Sequence, residues 1–325
     1  MKTIAIVGAT GLVGNKLADV FSASDFNAKF LAFADKSAGT TITIQNRKVR
    51  VLPVTQLLQH RPDAAIFTAN EETALKYIPQ LSANGTLCID NSKAYRMNDK
   101  VPLVVWDVNG DSVRATDNII ANPNCTTIQL VTALNAVKKY GIRRVVASTY
   151  QAVSGAGREA LEDLTQKHGY GKLKSFVHPI YDNVIPHIDR FNANGYTNEE
   201  MKVVNETQKI LDSKIEISCI AVRVPVSVGH CISANIQLDK MPDIETLRRD
   251  FISTRNILLT DDTENNLYPM PISVRGTPFV SVGRIVRDLY RDDCFNCFIT
   301  ADNLLRGAAY NAYEILINVL RRRQQ

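Results

Sequence analysis

The 325-residue sequence has no apolar run long enough to cross a membrane and no periodic repeat. A bilayer-spanning helix needs about 18 or more apolar residues in succession, and collagen or a coiled coil requires a repeating pattern. Its six cysteines are too widely scattered for the disulfide framework of a small secreted domain. These absences favour a cytoplasmic globular protein with reduced thiols.

Net charge is also small. The chain has 38 Lys and Arg against 33 Asp and Glu, a formal charge of +5, and its longest basic run covers only residues 321–323. This excess is too dilute to indicate nucleic-acid binding, and the apolar stretch at residues 4–7 is too short for a signal peptide. We expect no nucleic-acid or membrane partner, and about two domains, since domains average roughly 100 to 200 residues.

A glycine loop follows the first predicted strand. Residues 4–7 are apolar and mostly β-branched, the loop has the spacing Gly-x-x-Gly-x-x-Gly, and helical periodicity follows it. A dinucleotide pyrophosphate binds in this setting, because glycines allow close backbone approach and a helix N-terminus offers N–H groups. The alternative is that the glycines form a turn required only for packing between strand and helix, with no ligand bound. The predicted cofactor-binding residues here are Gly8, Thr10, Gly11, Leu12, Val13 and Gly14.

The next strand, at residues 30–33, leads to the expected position of the adenosine ribose. Asp35 would favour the 2′-hydroxyl of NAD, whereas Lys36 and Ser37 could hold the 2′-phosphate of NADP. Further strands at 64–68 and 87–89 flank a helix at 72–81. Strands alternating with helices predict a doubly wound parallel sheet.

Cys125 occupies an activating position. Apolar residues at 128, 131, 134 and 137 predict a helix with one apolar face, and Asn124 is its expected N-cap. A thiol in the first turn of a helix has a lowered pKa. The alternative is an inert, buried cysteine. Cys294 and Cys297 have metal-site spacing, but no second cysteine pair accompanies them, so we predict packing there and no metal.

A strand predicted at 215–226 carries Arg223 in phase with residues 217, 219 and 221. A guanidinium there needs a carboxylate partner, either a substrate or an internal acid. His230 begins an alternating run that continues to Leu238, and a histidine suits acid/base chemistry near neutrality.

A helix predicted over 198–211 has Met201, Val204 and Leu211 on one face and Lys202 and Glu206 on another. The lysine and glutamate could form a surface ion pair worth about 0.3–0.5 kcal/mol. Lys before Glu is the less favourable order, however, so a functional role is the competing interpretation.

Three segments closely resemble the aspartate-semialdehyde dehydrogenase family, and the resemblance runs nearly end to end. They are the glycine loop at 8–14, Asn-Pro-Asn-Cys-Thr-Thr at 122–127 and Ser-Thr-Tyr-Gln-Ala-Val-Ser-Gly-Ala-Gly at 148–157. The resemblance implies NADP-dependent reductive dephosphorylation of L-aspartyl-4-phosphate through a cysteine thioester, in lysine, threonine and methionine biosynthesis. It also implies a small-molecule substrate, inorganic phosphate and a homodimer, with NAD as a possible cofactor.

The resemblance further implies a Rossmann-type doubly wound cofactor domain at 1–127 and 304–325, with an α+β catalytic and dimerisation domain at 128–303. It assigns Cys125 as nucleophile, His230 as acid/base and Gln151 as an orienting residue. The implied substrate and phosphate ligands are Arg223, Glu206, Arg96, Lys202 and Asn124, and the further cofactor contacts are Ser154, Gly155 and Asn303.

Some features depart from the family pattern, and other functions remain as alternatives. Glu71 and Glu72 lie in a loop expected near the cofactor phosphates, where two acids should weaken binding. Arg96 could instead be a solvated loop cation. The rivals are N-acetylglutamyl-phosphate reductase, glyceraldehyde-3-phosphate dehydrogenase and a non-catalytic nucleotide-binding relative. The first two usually have Pro-Gly-Cys and Ser-Cys-Thr-Thr-Asn around the thiol, unlike residues 123–127 here.

Overall fold

A computed structural model describes residues 1–166 and 173–324. Its contacts divide the chain into two compact units, Met1–Asn124 with Ala308–Gln325, and Cys125–Gly307. Within the described ranges, no helix is both long and apolar enough to cross a bilayer. From the sequence we expect the four histidines other than His230 to be surface or structural residues. Of these, His60, His178 and His187 are exposed, and His168 lies outside the described ranges.

The first unit contains a largely parallel sheet flanked by helices. Its strands are β1 Lys2–Val7, β2 Ala28–Phe33, β3 Thr41–Ile44, β4 Arg47–Leu52, β5 Ala64–Phe67, β6 Leu87–Asp90 and β7 Ile119–Ala121. Its helices are α1 Leu12–Ser22, α2 Leu57–His60, α3 Glu71–Ala83, α4 Trp106–Asn109 and α10 Asn311–Arg322. The strand order is β3-β4-β2-β1-β5-β6-β7, and β3 and β4 form its antiparallel pair. β5 and β6 are fully buried, and β5, together with residues 87–89 of β6, has the continuous apolar sequence expected of strands covered on both faces.

The second unit combines a mixed six-stranded sheet with helices packed on one face. Its helices are α5 Cys125–Asn135, α6 Arg158–Thr165, α7 Asn198–Ile210, α8 Ile244–Ser253 and α9 Pro271–Val274. Its strands are β8 Ile142–Ala152, β9 Glu216–Val224, β10 His230–Leu238, β11 Ile257–Leu259, β12 Val280–Arg287 and β13 Cys294–Ala301. The order is β11-β12-β13-β10-β8-β9, and α5, α7 and α8 contact this sheet around the main apolar core. The predicted fold class is confirmed.

The apolar residues predicted on one face of α5 are buried, and the rest of residues 126–134 is buried as well, so α5 is a central helix. The predicted apolar face of α7 was wrong. On α7 the buried set includes Val203 and Ile210 together with Glu199, Glu200 and Glu206, whereas Met201 and Val204 are only partly buried. The apolar pattern did not identify the buried face of α7 because three glutamates lie on that face. One of them, Glu200, is buried as part of a capping box with Thr197.

Candidate active site

Cys125 is the first residue of α5, directly after Asn124, which confirms its predicted position in the first turn. Its side chain is half-buried, whereas the other five cysteines are buried. Burial raises the pKa of Cys88, Cys219 and Cys297 to about 12 and that of Cys231 to about 11, and it also raises the pKa of Cys294. Those thiols stay protonated near neutrality, so Cys125 is the cysteine suited to nucleophilic attack.

A π-helical turn at Leu305–Tyr310 brings the backbone of Gly307 against Cys125. A Cβ built on Gly307 would lie 2.9 Å from the Cβ of Cys125, closer than side chains tolerate. Glycine at this position therefore leaves space for the Cys125 side chain. This contact could not be predicted from the sequence, since 182 positions separate the two residues.

Gln151 lies on β8 and links Thr126, the residue after Cys125, to a carboxylate. Its Nε2 donates to Thr126 Oγ1 at 2.7 Å and to Glu199 Oε1 at 3.2 Å, and Gln151 is buried. These two bonds fix the carboxamide orientation. Glu199, which sequence reasoning missed, thus belongs to the same cluster as Gln151.

Arg223 is buried on β9, on the same face as Cys219 and Ala221 as predicted. Its Nη1 donates to Ala152 O at 2.7 Å. Burial lowers the pKa of the guanidinium, while the negative charges of Glu199 and Cys125 act to raise it. The guanidinium has further N–H groups besides the one bound to Ala152 O, and these can donate to a planar carboxylate.

His230, the first residue of β10, is completely buried. Its Nδ1 accepts a hydrogen bond from Ala152 N at 3.0 Å, and among the described residues its Nε2 has no partner. Burial and, secondarily, the charge of Arg223 hold the pKa of His230 well below its usual value. A lowered pKa favours the neutral form of the ring. The backbone of Ala152 contacts both side chains, since its N–H donates to His230 and its C=O accepts from Arg223.

Gly155 borders the space in front of these two side chains. A Cβ there would lie 3.1 Å from Arg223 Nη1 and 3.2 Å from His230 Nε2. Ser154 and Asn303 are buried nearby, where Asn303 donates to Ser154 Oγ at 3.0 Å and accepts from Gly229 N at 2.9 Å. The structure thus brings Ser154, Asn303 and the residue before His230 together.

Lys202 lies between two carboxylates. Its Nζ donates to Asp189 at 2.9 Å and to Glu199 at 3.0 Å. Burial acts to lower the pKa of Lys202, but Glu199 and Asp189 raise it overall. Asp189 adopts a left-handed φ of +70°, and no sequence pattern predicted this residue as part of the cluster. Glu206 is buried two turns from Glu199 on α7.

The glycine loop of the first unit connects β1 to α1. Gly8 has a φ of +86°, and a Cβ on Gly14 would lie only 2.3 Å from Gly8 O, so this turn requires glycine at both positions. In the part of the chain that the structure describes, no side chain caps the N-terminus of α1, which begins after Gly11. N–H groups without a side-chain cap and a close backbone approach fit a pyrophosphate.

The predicted ribose-binding residues lie after β2. Thr10 Oγ1 and Ser37 Oγ are 2.6 Å apart, and Lys36 is exposed. Asp35 Oδ1 accepts from Val54 N at 2.8 Å, which gives this carboxylate a structural role.

The segments that follow β5 and β6 contain charged side chains with partners in the structure: Glu71 follows β5 and Arg96 follows β6. Asn70 accepts from Thr73 N and caps α3, which places Glu71 in the first helical turn, where its carboxylate pairs with Lys93 at 3.2 Å. Arg96 is buried, and its Nη2 donates to Asn91 O at 2.8 Å. Arg96 is therefore not a solvated loop cation.

Comparisons with known proteins agree with these features. Residues 3–116 match the family model described as Semialdehyde dehydrogenase, NAD binding domain, and residues 134–306 match Semialdehyde dehydrogenase, dimerisation domain. The aspartate-semialdehyde dehydrogenase of Aquifex aeolicus is 39% identical over 96% of each chain. That of Bacillus subtilis is 37% identical over 96% of this chain and 95% of its own.

Solved structures show the same relationship. The crystal structure of aspartate semialdehyde dehydrogenase II from Vibrio cholerae has a TM-score of 0.94 at 35% identity, and the match covers 99% of each chain. A structure of that protein complexed with ASA also has a TM-score of 0.94, at 34% identity over 99% of this chain and 98% of its own. By its two domain matches and its full-length relatives, this chain belongs to the aspartate-semialdehyde dehydrogenase family.

Proposed function

We propose that the chain catalyses the NADP-dependent reductive dephosphorylation of L-aspartyl-4-phosphate to L-aspartate-4-semialdehyde. The observation that carries the proposal is the arrangement around Cys125: a half-buried thiol at the start of α5, with Gln151, Arg223 and His230 linked through neighbouring residues of the same unit. Family membership supports the reaction class.

Cys125 attacks the acyl carbon as a thiolate, which the N-terminus of α5 stabilises. The new C–S bond replaces the C–O bond to phosphate, and phosphate departs with that electron pair. When bound, the reduced nicotinamide cofactor supplies the hydride that converts the thioester to the aldehyde. Gln151 holds its carboxamide beside the residue that follows the nucleophile, so it orients the thioacyl group.

Substrate binding rests on opposite charges. Arg223 offers its planar donors to the α-carboxylate. For the substrate ammonium we favour Glu199 over Glu206, because Glu199 contacts both Gln151 and Lys202. Arg96, Lys202 and Asn124 remain the proposed ligands of the phosphate.

The proposed cofactor ligands are those predicted in the glycine loop between β1 and α1 and in the segment after β2. Lys36 and Ser37 support NADP, because Asp35 is engaged by the backbone at Val54 and because a cation favours the 2′-phosphate. NAD remains a second cofactor to test. Ser154, Gly155 and Asn303 are the proposed contacts on the nicotinamide side.

We also propose a homodimer formed through the open face of the six-stranded sheet. That face exposes Val146 and Tyr150 on β8 and Ile220 on β9, with exposed fractions of 38%, 36% and 55%. The matched model is described as a dimerisation domain, which supports a second copy as the occupant. Sedimentation of the wild type should give a dimer, and Ile220→Lys should shift it to monomer; a wild-type monomer at micromolar concentration contradicts the proposal.

The reaction is tested by phosphate-dependent reduction of NADP with aspartate semialdehyde. Wild type should turn over, Cys125→Ala should not, and Cys219→Ser should stay active because that thiol is buried. Parallel assays use NAD in place of NADP and N-acetylglutamate semialdehyde in place of the substrate. No turnover of aspartate semialdehyde with either cofactor refutes the proposal.

A further inference from the structure

We propose that Asp302 is a positioning residue, whose buried carboxylate fixes the turn that follows β13. One consequence is the placement of Gly307 against Cys125, and another is the orientation of the Asn303 amide. The inference rests on the proposed function, because it concerns the placement of groups that react or bind in that reaction. Asp302 acts through these residues and needs no contact of its own with substrate or cofactor.

The carboxylate of Asp302 is completely buried and accepts from three backbone N–H groups. Its Oδ1 accepts from Leu304 N at 2.9 Å and from Leu305 N at 3.0 Å. Its Oδ2 accepts from Gly276 N at 2.9 Å. Hydrogen bonds to a carboxylate are stronger than those between neutral groups, and main-chain donors cannot rotate away as side chains can. One carboxylate therefore ties the start of the turn to a second segment of the chain.

The turn itself is of the π type. Gly307 N donates to Asp302 O at 2.9 Å, a bond that spans five residues, and π-helical backbone starts at Leu305. Turns of this type are rare and occur frequently at functional sites. Oδ1 of Asp302 stabilises this one, because it binds two N–H groups that the start of a helix leaves without an internal partner. The close approach of Gly307 to Cys125 therefore depends on the carboxylate.

The same carboxylate sets the direction of the Asn303 side chain. The bond from Leu304 N to Asp302 Oδ1 spans two residues and closes an Asx turn with Asn303 at its centre. Asn303 is buried, its Nδ2 donates to Ser154 Oγ at 3.0 Å, and its Oδ1 accepts from Gly229 N at 2.9 Å. A proposed cofactor contact is thus held through both its backbone and its amide.

The bond to Gly276 reaches the segment before β12, which leads back to the same site. Gly276 has a left-handed φ of +76°, and the preceding Arg275 donates to Ser227 Oγ. Ser227 O in turn accepts from Ser154 N at 3.2 Å. The contacts therefore form a closed ring, whose members are Asp302, Gly276, Arg275, Ser227, Ser154 and Asn303. Loss of the bond at Oδ2 would open this ring.

Asparagine tests the carboxylate because it has nearly the same shape but only one acceptor oxygen. In Asp302→Asn the NH₂ group must face either Gly276 N or the two donors of the turn, so at least one bond is lost. We expect kcat to fall about 10- to 100-fold, because a shift of about 1 Å between reacting groups can cost 10²-fold. The Kd for NADP, measured by titration, should rise about threefold or more, because Asn303 is displaced.

Asp288→Asn is the matched control. In the turn between β12 and β13, Asp288 Oδ1 accepts from the N–H groups two and three residues later, at 3.0 and 3.2 Å. Its Oδ2 accepts from Asn235 Nδ2 at 2.9 Å. This is the same bonding pattern at the opposite end of β13. Asp288→Asn should leave kcat and the Kd for NADP within about twofold of wild type, whatever its effect on Tm.

Alkylation by iodoacetamide, counted by mass spectrometry, separates displacement from unfolding. The folded protein should be labelled at Cys125 alone, because the other five cysteines are buried, whereas an unfolded chain exposes all six. Asp302→Asn should take up one label at a rate within about threefold of wild type, because the start of α5 activates the thiol. A lower kcat with one label per chain shows misplacement in a folded protein.

Asp302→Ser covers the case in which Asp302→Asn does not fold. Its hydroxyl can accept from Leu304 N as in a serine turn, but it is too short to reach Gly276 N. It should also lose about tenfold or more in kcat with one label per chain.

Three results overturn the inference: kcat within about twofold of wild type in either Asp302 variant, an equal loss of kcat in Asp288→Asn, or six labels in both Asp302 variants. The last would show that the carboxylate serves the fold and not the placement of the reacting groups. A wild type that fails to oxidise aspartate semialdehyde with either cofactor refutes the proposed function instead. The NADP titration would then still decide whether Asp302 positions Asn303.

Discussion

Replacing Gly307 with alanine should displace the nucleophile without unfolding the protein. The added Cβ would lie 2.9 Å from Cys125 Cβ and 3.3 Å from its Cα. Carbon atoms in contact normally lie about 3.5–4.0 Å apart, so one of the two residues must move by about 0.6–1 Å. Since a misplacement of about 1 Å can cost 10²-fold in rate, we expect kcat to fall by roughly 10- to 100-fold.

The effect on stability should be smaller than the effect on rate. Overpacking costs about 1–3 kcal/mol, and alanine recovers about 0.5–1 kcal/mol relative to glycine within a helix. The assays are kcat, the rate of Cys125 alkylation by iodoacetamide, and Tm. Gly85→Ala is the control: its φ of +85° strains any side chain, but no described atom lies within 4 Å of the new Cβ. That variant should lose stability and keep its kcat. A Gly307→Ala enzyme with kcat within twofold of wild type would refute the reasoning.

Three further predictions concern charged groups. Glu199→Gln should raise the KM for aspartate semialdehyde more than Glu206→Gln does, because Glu199 lies in the cluster with Gln151; the reverse order contradicts our ammonium site. Arg223→Lys should raise KM at least tenfold because one point charge replaces a fork, and unchanged saturation kinetics would exclude the carboxylate role. Burial acts to raise the pKa of Asp163, but three backbone N–H donors lower it overall. A lowered pKa stabilises the fold above about pH 4 and ceases to do so as the carboxylate protonates. Thermal scans should therefore show Asp163→Asn less stable than wild type at pH 7, with a gap that narrows below about pH 4; a gap independent of pH would show that the carboxylate's charge is not involved.

Local periodicity predicted the elements that carry the site. Arg223 and Cys219 share the buried face of β9 because strands alternate with period two, and this pattern is visible in the sequence. Cys125 at the start of α5 was equally predictable, since a helix start has a local signature. The glycine turn before α1 was also predictable, because its glycine spacing is a local signature of the turn between a strand and a helix.

The residues that sequence reasoning missed act through contacts between distant segments. Glu199 lies in the first turn of α7, where an acid normally indicates only a favourable helix dipole. Its site role appears once β8 brings Gln151 to it. Asp189 and Gly307 lie in irregular or π-helical backbone, for which no periodicity exists. Ala152 acts through its backbone N–H and C=O, so its side chain carries no signal at all.

The first unit is assembled from two separate stretches of chain, and this has a consequence during synthesis. Asn311, on the later stretch, donates to Val104 O and Asn122 Oδ1 and accepts from Trp106 N. These groups belong to the earlier stretch, yet 183 residues of the second unit must be translated before Asn311 exists. At about 5–20 residues per second, the ribosome takes roughly 10–40 s to do so. During this time the earlier stretch of the first unit lacks the hydrogen bonds that Asn311 supplies, whereas the second unit, which contains Cys125, can fold once its own residues have been made.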